Sequence, residues 1–252
     1  MQTLIEIKNL SKHFGHIIAV DNVSLNVSKG EILGLVGESG SGKTTLGRII
    51  LCLISSTSGE IRYLGKDIFK LKGKELKKFR EEAQVIFQDP YTSLNPRMRV
   101  GETIGEPLLI HNLVEKDKIR ERIGELLNLV HLPAHYSQRY PHELSGGERQ
   151  RVGIARALAT NPKFIVADEP VSSLDVTVQA EILKLLLELK TKLGLTILFI
   201  AHDLMIVQNL CDRVAVMQKG KLVEKGVTEK IFCHPTHPYT KILLESIPQI
   251  KI

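Results

Sequence analysis

Cysteine is scarce in this sequence. Its three cysteines, Cys52, Cys211 and Cys233, lie far apart and form no C-x-x-C pair. That spacing argues against a disulfide framework or a zinc site and fits a reducing cytoplasm. Long apolar runs are missing too. The longest clusters, around Leu183 to Leu189 and Leu195 to Ile200, are too short or too polar to cross a bilayer. Met1 leads straight into Leu4-Ile5-Glu6-Ile7, with no apolar signal stretch. A chain of this kind that works at a membrane is expected to dock there on other chains. No internal repeat or low-complexity segment is evident. The net charge of +6 would suit nucleic acid, anionic lipid or an acidic partner. The lysines concentrate at Lys66, Lys70, Lys72, Lys74, Lys77 and Lys78, which reads as a solvated helix face, and no nucleic-acid partner is expected.

What is present suits a globular protein. There are 252 residues with 43% hydrophobic content, enough for a core that is stable without staples. Leu4 to Ile7 and Val20 to Val27 read as half-buried strands. Ile32 to Val36, Phe164 to Ala167 and Thr196 to Ile200 are near-continuous apolar runs, as expected of parallel strands covered on both faces. Between them lie helical stripes. One runs Val178, Ile182, Leu185, Leu186, Leu189, Leu193. Another runs Ile119, Ile123, Leu126, Leu127, Val130. The alternation predicts an α/β fold with a parallel sheet. From about Pro90 to Pro141 the pattern is helical with little strand signal, which predicts a helical subdomain inserted into the core.

Ile32 to Val36 runs into Gly37-Glu38-Ser39-Gly40-Ser41-Gly42-Lys43-Thr44, which fits G-x-x-x-x-G-K-[ST]. Glycines let the backbone turn its N–H groups inward around phosphate oxygens. Lys43 sets a positive charge against the β- and γ-phosphates, and the Thr44 hydroxyl is a ligand for Mg²⁺. A helix from Thr45 to about Leu53 points its positive end at the same anion. A chance glycine-rich turn is the bland alternative, disfavoured by the strand before the loop and the helix after it. Asp168 and Glu169 close the strand Phe164 to Ala167. An acid there can hold Mg²⁺ through water, which is the role expected of Asp168. Glu169 is expected to polarise the attacking water.

To this point kinases and GTPases remain open. Leu144-Ser145-Gly146-Gly147-Glu148-Arg149-Gln150 narrows the field, because it resembles the signature motif of the ABC ATPases. Ser145 and two glycines open a helix expected from about Glu148 to Thr160, a second anion site at a helix N-terminus. The resemblance implies that Ser145, Gly146, Gly147 and Glu148 of one subunit close over ATP held by the other. It also implies that Gln88 senses Mg²⁺ and the water, that Asp175 in Ser173-Leu174-Asp175 crosses the dimer interface, and that His202 contacts the γ-phosphate. Phe14 stands where the family places an aromatic ring on adenine, usually a tyrosine; a core phenylalanine is the rival reading. The implied fold is a P-loop ABC-type domain with a mainly parallel core sheet, an N-terminal antiparallel β part and the helical insert. Residues 1–89 and 142–230 form the expected core, 90–141 the insert and 231–252 a short tail.

Phe87-Gln88-Asp89-Pro90-Tyr91-Thr92-Ser93-Leu94-Asn95-Pro96 is similar to the peptide and nickel importer branch. The tail His234-Pro235-Thr236-His237-Pro238-Tyr239-Thr240 is similar to it as well. Membership implies an ATPase that uses ATP and Mg²⁺ and lies peripherally on the cytoplasmic face of the cell membrane. Its expected partners are a second ABC ATPase subunit, usually a different chain, two membrane permease subunits and, indirectly, an external solute-binding protein. Peptide and nickel both remain open as cargo. The tail carries only Cys233, so no iron–sulfur cluster is expected, since such clusters normally take four ligands. The alternative is a soluble ABC protein of DNA repair or translation. The first would need a long coiled coil and the second two ATPase domains in one chain. No sustained heptad run and only one phosphate loop occur here.

Overall fold

The computed structural model describes residues 2–245. The strands are β1 (Thr3–Phe14), β2 (Ile17–Ser28), β3 (Ile32–Val36), β4 (Ser58–Tyr63), β5 (Lys66–Asp67), β6 (Ala83–Ile86), β7 (Phe164–Asp168), β8 (Thr196–Ala201), β9 (Arg213–Gln218) and β10 (Lys221–Val227). The α-helices are α1 (Lys43–Ile50), α2 (Gly73–Glu82), α3 (Pro90–Ser93), α4 (Val100–His111), α5 (Ile119–Leu129), α6 (Gly146–Leu158), α7 (Val176–Leu193), α8 (Leu204–Leu210), α9 (Thr228–Cys233) and α10 (Pro238–Glu245). The chain divides into two compact units, Met1–Lys72 with Leu195–Ile252, and Gly73–Gly194. Among the described residues no helix is long and apolar enough to cross a membrane.

In the first unit β1 and β2 form a long antiparallel hairpin that turns at Gly15. They belong to a four-stranded antiparallel sheet ordered β2-β1-β4-β5, with β2 at one edge. The apolar residues Ile5, Ile7, Leu10, Val20, Val23, Leu25 and Val27 are buried, while their polar neighbours face out, the period-2 alternation of a half-buried sheet. Beside this stands a parallel arrangement. β3 pairs in parallel with both β8 and β9, and β10 closes antiparallel on β9. All five residues of β3 and all six of β8 are buried. Each large aliphatic side chain so placed stabilises the fold by roughly 1.5–3 kcal/mol. Glu31 leads into β3 with only 4% of its surface exposed. Its charge is matched, since it accepts from the Ser28 amide at 2.6 Å and from Arg213 Nη1 at 3.1 Å. A buried carboxylate without such partners would be strongly destabilising.

The second unit pairs β6 with β7 in parallel, with Ala83 opposite Phe164 and Ile86 opposite Ala167. From residue 90 to 141 the described chain is helical or irregular, with α3, α4, α5 and short 3₁₀ turns and no strand. The stripe on α5 is buried at Ile123, Leu126 and Leu127, and Val130 just beyond it is buried as well. On α7 it is buried at Ile182, Leu185, Leu186 and Leu189. Leu193 departs from the expected stripe and is 44% exposed, because the helix stops there at Gly194 in the left-handed conformation. All six clustered lysines are exposed, but only Lys74, Lys77 and Lys78 lie on α2, where Lys78 reaches Glu81 at 2.7 Å. Lys66 is in β5, Lys70 in a 3₁₀ turn and Lys72 in the loop before α2, so the solvated surface is only in part a helix face.

Candidate nucleotide site

In the first unit, the loop Gly37, Glu38, Ser39, Gly40, Ser41, Gly42 joins β3 to α1, and Lys43, Thr44 and Thr45 form the first turn of that helix. α1 therefore begins two residues earlier than the sequence pattern suggests and ends at Ile50, short of Leu53. The loop is walled closely. A Cβ on Gly37 would lie 2.1 Å from the Met217 carbonyl oxygen, and one on Gly42 2.1 Å from that of Ala19. Both glycines have positive φ, 148° and 104°, so the loop shape and its close neighbours each require them. The Lys43 ammonium is tied across its own loop, donating to the carbonyls of Gly37 at 2.7 Å and Glu38 at 2.8 Å. This braces the loop from inside, and the side chain is almost fully buried.

His202 follows β8 and is exposed. The next residue, Asp203, caps α8 by accepting from the Met205 amide at 2.8 Å. Phe14, the last residue of β1, is 48% exposed, with the Lys12 ammonium 4.8 Å from the ring centroid. It is not a core phenylalanine, which removes the rival reading of that residue.

The second unit gathers the acids and the signature. Asp168 ends β7 and is buried. Glu169 then turns into the left-handed region at φ 46°, a conformation that costs a non-glycine residue roughly 1–3 kcal/mol. Its carbonyl accepts from the Ser172 hydroxyl at 3.1 Å, and its carboxylate Oε2 accepts from Gln88 Nε2 at 3.1 Å. Gln88 and Glu169, which lie 81 residues apart, are thus brought together. The residue order does not reveal this pairing.

Ser145 is the N-cap of α6, accepting from the Glu148 amide, while the Glu148 carboxylate accepts from the Ser145 amide at 2.8 Å. Tyr136 donates to the other Glu148 oxygen at 2.8 Å, so both oxygens are engaged in the cap. Partial burial would raise the pKa of Glu148, but these hydrogen bonds outweigh it and hold the carboxyl below the usual carboxylate range. The helix starts at Gly146, two residues before the expected position, because Ser145 is its N-cap and both glycines lie within its first turn. Gly147 allows close packing, since a Cβ there would meet Val178 Cγ1 at 2.5 Å. Asp175 caps α7, accepting from the Val178 amide at 3.0 Å.

Residues of α6 also grip the segment on either side of Gln88. The Arg149 guanidinium lies 3.8 Å from the centroid of the Tyr91 ring, and Arg156 donates to the Ser93 carbonyl at 2.7 Å. Gln150 donates to the Phe87 carbonyl at 3.5 Å. No periodicity or spacing signals these contacts. A cleft of about 990 Å³ lies nearby in the helical part, lined by residues that include Arg99, Glu102, Glu106, Leu109 and Ile110.

Residues 20–172 match the family model described as ABC transporter, and residues 223–252 match the one described as Oligopeptide/dipeptide transporter, C-terminal region. The chain is 52% identical over 252 residues to the oligopeptide transport ATP-binding protein OppF of Streptococcus mutans, covering 98% of this chain and 82% of that protein. It is 54% identical over 253 residues to the dipeptide transport ATP-binding protein DppF of Lactococcus lactis, covering 97% and 81%. Among solved structures it resembles cbiO1 of Clostridium perfringens, described as part of an ABC transporter complex, with TM-score 0.83 and 30% identity over 93% of this chain and 92% of that one. It also resembles a dimeric ATP-binding cassette in a post-hydrolysis state bound to ADP and Pi, with TM-score 0.80 and 32% identity over 89% and 99%.

Proposed function

Since the chain belongs to the ABC transporter ATP-binding family, we propose that it is the ATP-hydrolysing subunit of a peptide importer. The observation that carries the cargo assignment is the joint match of the cassette and of the oligopeptide/dipeptide tail, supported by relatives named for oligopeptide and dipeptide transport. Those relatives favour a transporter over a DNA-repair or translation role and peptide over nickel. The test is uptake by the assembled complex. Labelled di- to pentapeptides should accumulate in an ATP-dependent way, and nickel ions should not. Uptake of nickel without peptide would reverse the assignment.

ATP is assigned to Gly37 through Thr45, with Phe14 against adenine and His202 at the γ-phosphate. Glu169 polarises the water and Gln88 orients it beside Glu169. The hydroxyl of Thr44, the carboxylate of Asp168 and the amide oxygen of Gln88 are hard oxygen donors, the kind Mg²⁺ prefers. Bound there, the ion would neutralise charge on the phosphate oxygens. Hydrolysis is in-line attack by water, in which positioning and charge stabilisation do most of the work.

Ser145, Gly146, Gly147, Glu148 and Asp175 are assigned to act in trans, on the nucleotide held by a paired ATPase subunit. Ser145→Asp tests this cleanly. Aspartate caps a helix as well as serine does, so α6 should stay folded. The added negative charge would face the partner's phosphates. The isolated chain should bind ATP as before, while hydrolysis by the paired subunits should fall at least about tenfold. Loss of ATP binding by the isolated chain would show that the signature serves its own nucleotide.

The complex is assigned to the cytoplasmic face of the membrane, with two permease subunits and an external binding protein that supplies cargo. The surface from Tyr91 to Glu106 is assigned to permease docking. Tyr91 is 60% exposed, and the neighbouring cleft carries exposed Leu109 and Ile110 beside Arg99 and Glu102. Cysteines placed singly at Thr92, Arg97, Glu102 and Glu106 should crosslink a permease subunit in the assembled complex. If all four fail while cysteines in the β1–β2 hairpin succeed, docking lies elsewhere.

A further inference from the structure

The tail that resembles the peptide importer branch reaches the phosphate loop in space. Tyr239, the second residue of α10, is buried, and its hydroxyl oxygen accepts from the Glu38 amide at 3.1 Å. The two residues are 201 positions apart. Glu38 is the residue whose carbonyl also takes the Lys43 ammonium and the Ser41 amide, the latter at 3.1 Å. Its peptide group is therefore a junction. The loop's own lysine holds the carbonyl side, and the tail holds the amide side.

The tail is itself anchored. Glu224 on β10 accepts from the Thr236 amide at 2.8 Å, the Thr236 hydroxyl at 2.7 Å and the His237 amide at 3.0 Å. Partial burial works to raise its pKa, yet the Thr240 hydroxyl beside it, together with these hydrogen bonds, brings it down to about 2. The Tyr239 amide in turn donates to His237 Nδ1 at 3.2 Å, which fixes the first turn of α10. Each residue of the stretch from Thr236 to Tyr239 that bears an N–H is thus fastened, and the stretch ends on the tyrosine hydroxyl.

We propose that Tyr239 is a positioning residue for ATP binding, holding the Gly37–Glu38 end of the phosphate loop in its binding shape through the Glu38 amide, with Glu224 as the anchor of the tail that carries it. This rests on the assignment of Gly37 to Thr45 as the ATP site. The loop's amides form a phosphate cradle only when its residues keep their unusual dihedrals. A hydrogen bond from outside the loop reduces the freedom that ATP would otherwise have to remove. Tyr239 touches no phosphate in this scheme and acts through Glu38.

The test uses the full chain and its assembled complex. Tyr239→Phe removes one oxygen and leaves the buried ring in place. Equilibrium binding of a fluorescent ATP analogue should weaken about three- to tenfold, the range of a single net hydrogen bond. The KM for ATP should rise with it, while kcat changes less than about twofold and the thermal midpoint of the nucleotide-free protein stays within about 2 °C. Glu224→Gln should weaken binding in the same direction, and the double variant should be little worse than Tyr239→Phe alone, because both act through one tether. Lys43→Ala is the control for the underlying assignment and should lose ATP binding. If Lys43→Ala binds normally, the phosphate-loop assignment itself fails. If Lys43→Ala fails to bind but Tyr239→Phe binds and turns over ATP like the parent, or lowers only the thermal midpoint, the tyrosine is a packing residue and the proposal is wrong.

Discussion

Replacing Glu169 with glutamine should leave ATP bound and nearly stop its hydrolysis. Glutamine keeps the side chain's length and one acceptor oxygen, so the bond from Gln88 Nε2, 3.1 Å in the parent, can persist. It cannot take a proton from water as a carboxylate does. A general base contributes typically 10²–10⁴-fold, and kcat for phosphate release by the assembled complex should fall by about that factor. The affinity for ATP should change less than about threefold. Because the nucleotide is no longer consumed, the paired subunits should accumulate in an ATP-bound, closed state, visible as a stable dimer in gel filtration with ATP. Hydrolysis within tenfold of the parent would take the water-activating role away from Glu169. The backbone adds a second expectation. Glu169 already adopts φ 46°, so Glu169→Gly should relieve strain while removing the carboxylate. That variant should be inactive without being less stable, which separates the chemical loss from a folding defect.

Gly42→Ala should have a larger effect still on binding. The added methyl would sit 2.1 Å from the Ala19 carbonyl oxygen, a backbone atom that cannot rotate away, at a residue whose φ is 104°. Either the hairpin strand β2 or the phosphate loop must move. The expected cost is on the order of 3 kcal/mol of stability, in the upper part of the range for single substitutions. ATP affinity should fall more than about tenfold, because the displaced residue directly precedes Lys43 and Thr44. Gly40→Ala is the informative contrast. Gly40 also has positive φ, at 78°, but a Cβ there meets nothing within 4 Å. It should cost only conformational strain, about 1 kcal/mol. Denaturant unfolding and nucleotide titration on the two variants separate them. Equal losses would mean that crowding by Ala19 does not shape the loop.

The buried strands were readable because burial on both faces leaves no polar interruption. β3, β7 and β8 carry that signature along their whole length. β1 and β2 were only partly readable. Each runs twelve residues, yet His13, Ile17 and Ile18 extend the hairpin with side chains in solvent, where alternation of polar and apolar residues fades. β4 and β10 were not evident for a similar reason, since most of their side chains are partly or fully exposed. At the site, the phosphate loop was legible because backbone geometry there demands glycine at fixed intervals, and the signature because a capping serine and two small residues open a helix. The Gln88–Glu169 bond, the grip of α6 on residues 87–93 and the reach of Tyr239 to Glu38 were not. They depend on how distant elements pack, and no local spacing encodes that.

The grip of α6 on the chain around Gln88 falls in part on backbone. Arg156 takes the carbonyl of Ser93 and Gln150 that of Phe87. Every residue type has a carbonyl, so these fastenings are indifferent to which side chains the segment displays. Over evolutionary time the outward side chains of this segment are free to drift to suit a different neighbour, without loosening the attachment of the segment to the signature helix. Phe87 and Tyr91 are the exceptions, because Arg156 lies over the ring of the first and Arg149 over that of the second. A lineage that changed its neighbour at this surface would be expected to rewrite Thr92 before it gave up the aromatic residues at 87 and 91, or Asn95, whose side-chain oxygen accepts from the Arg97 amide.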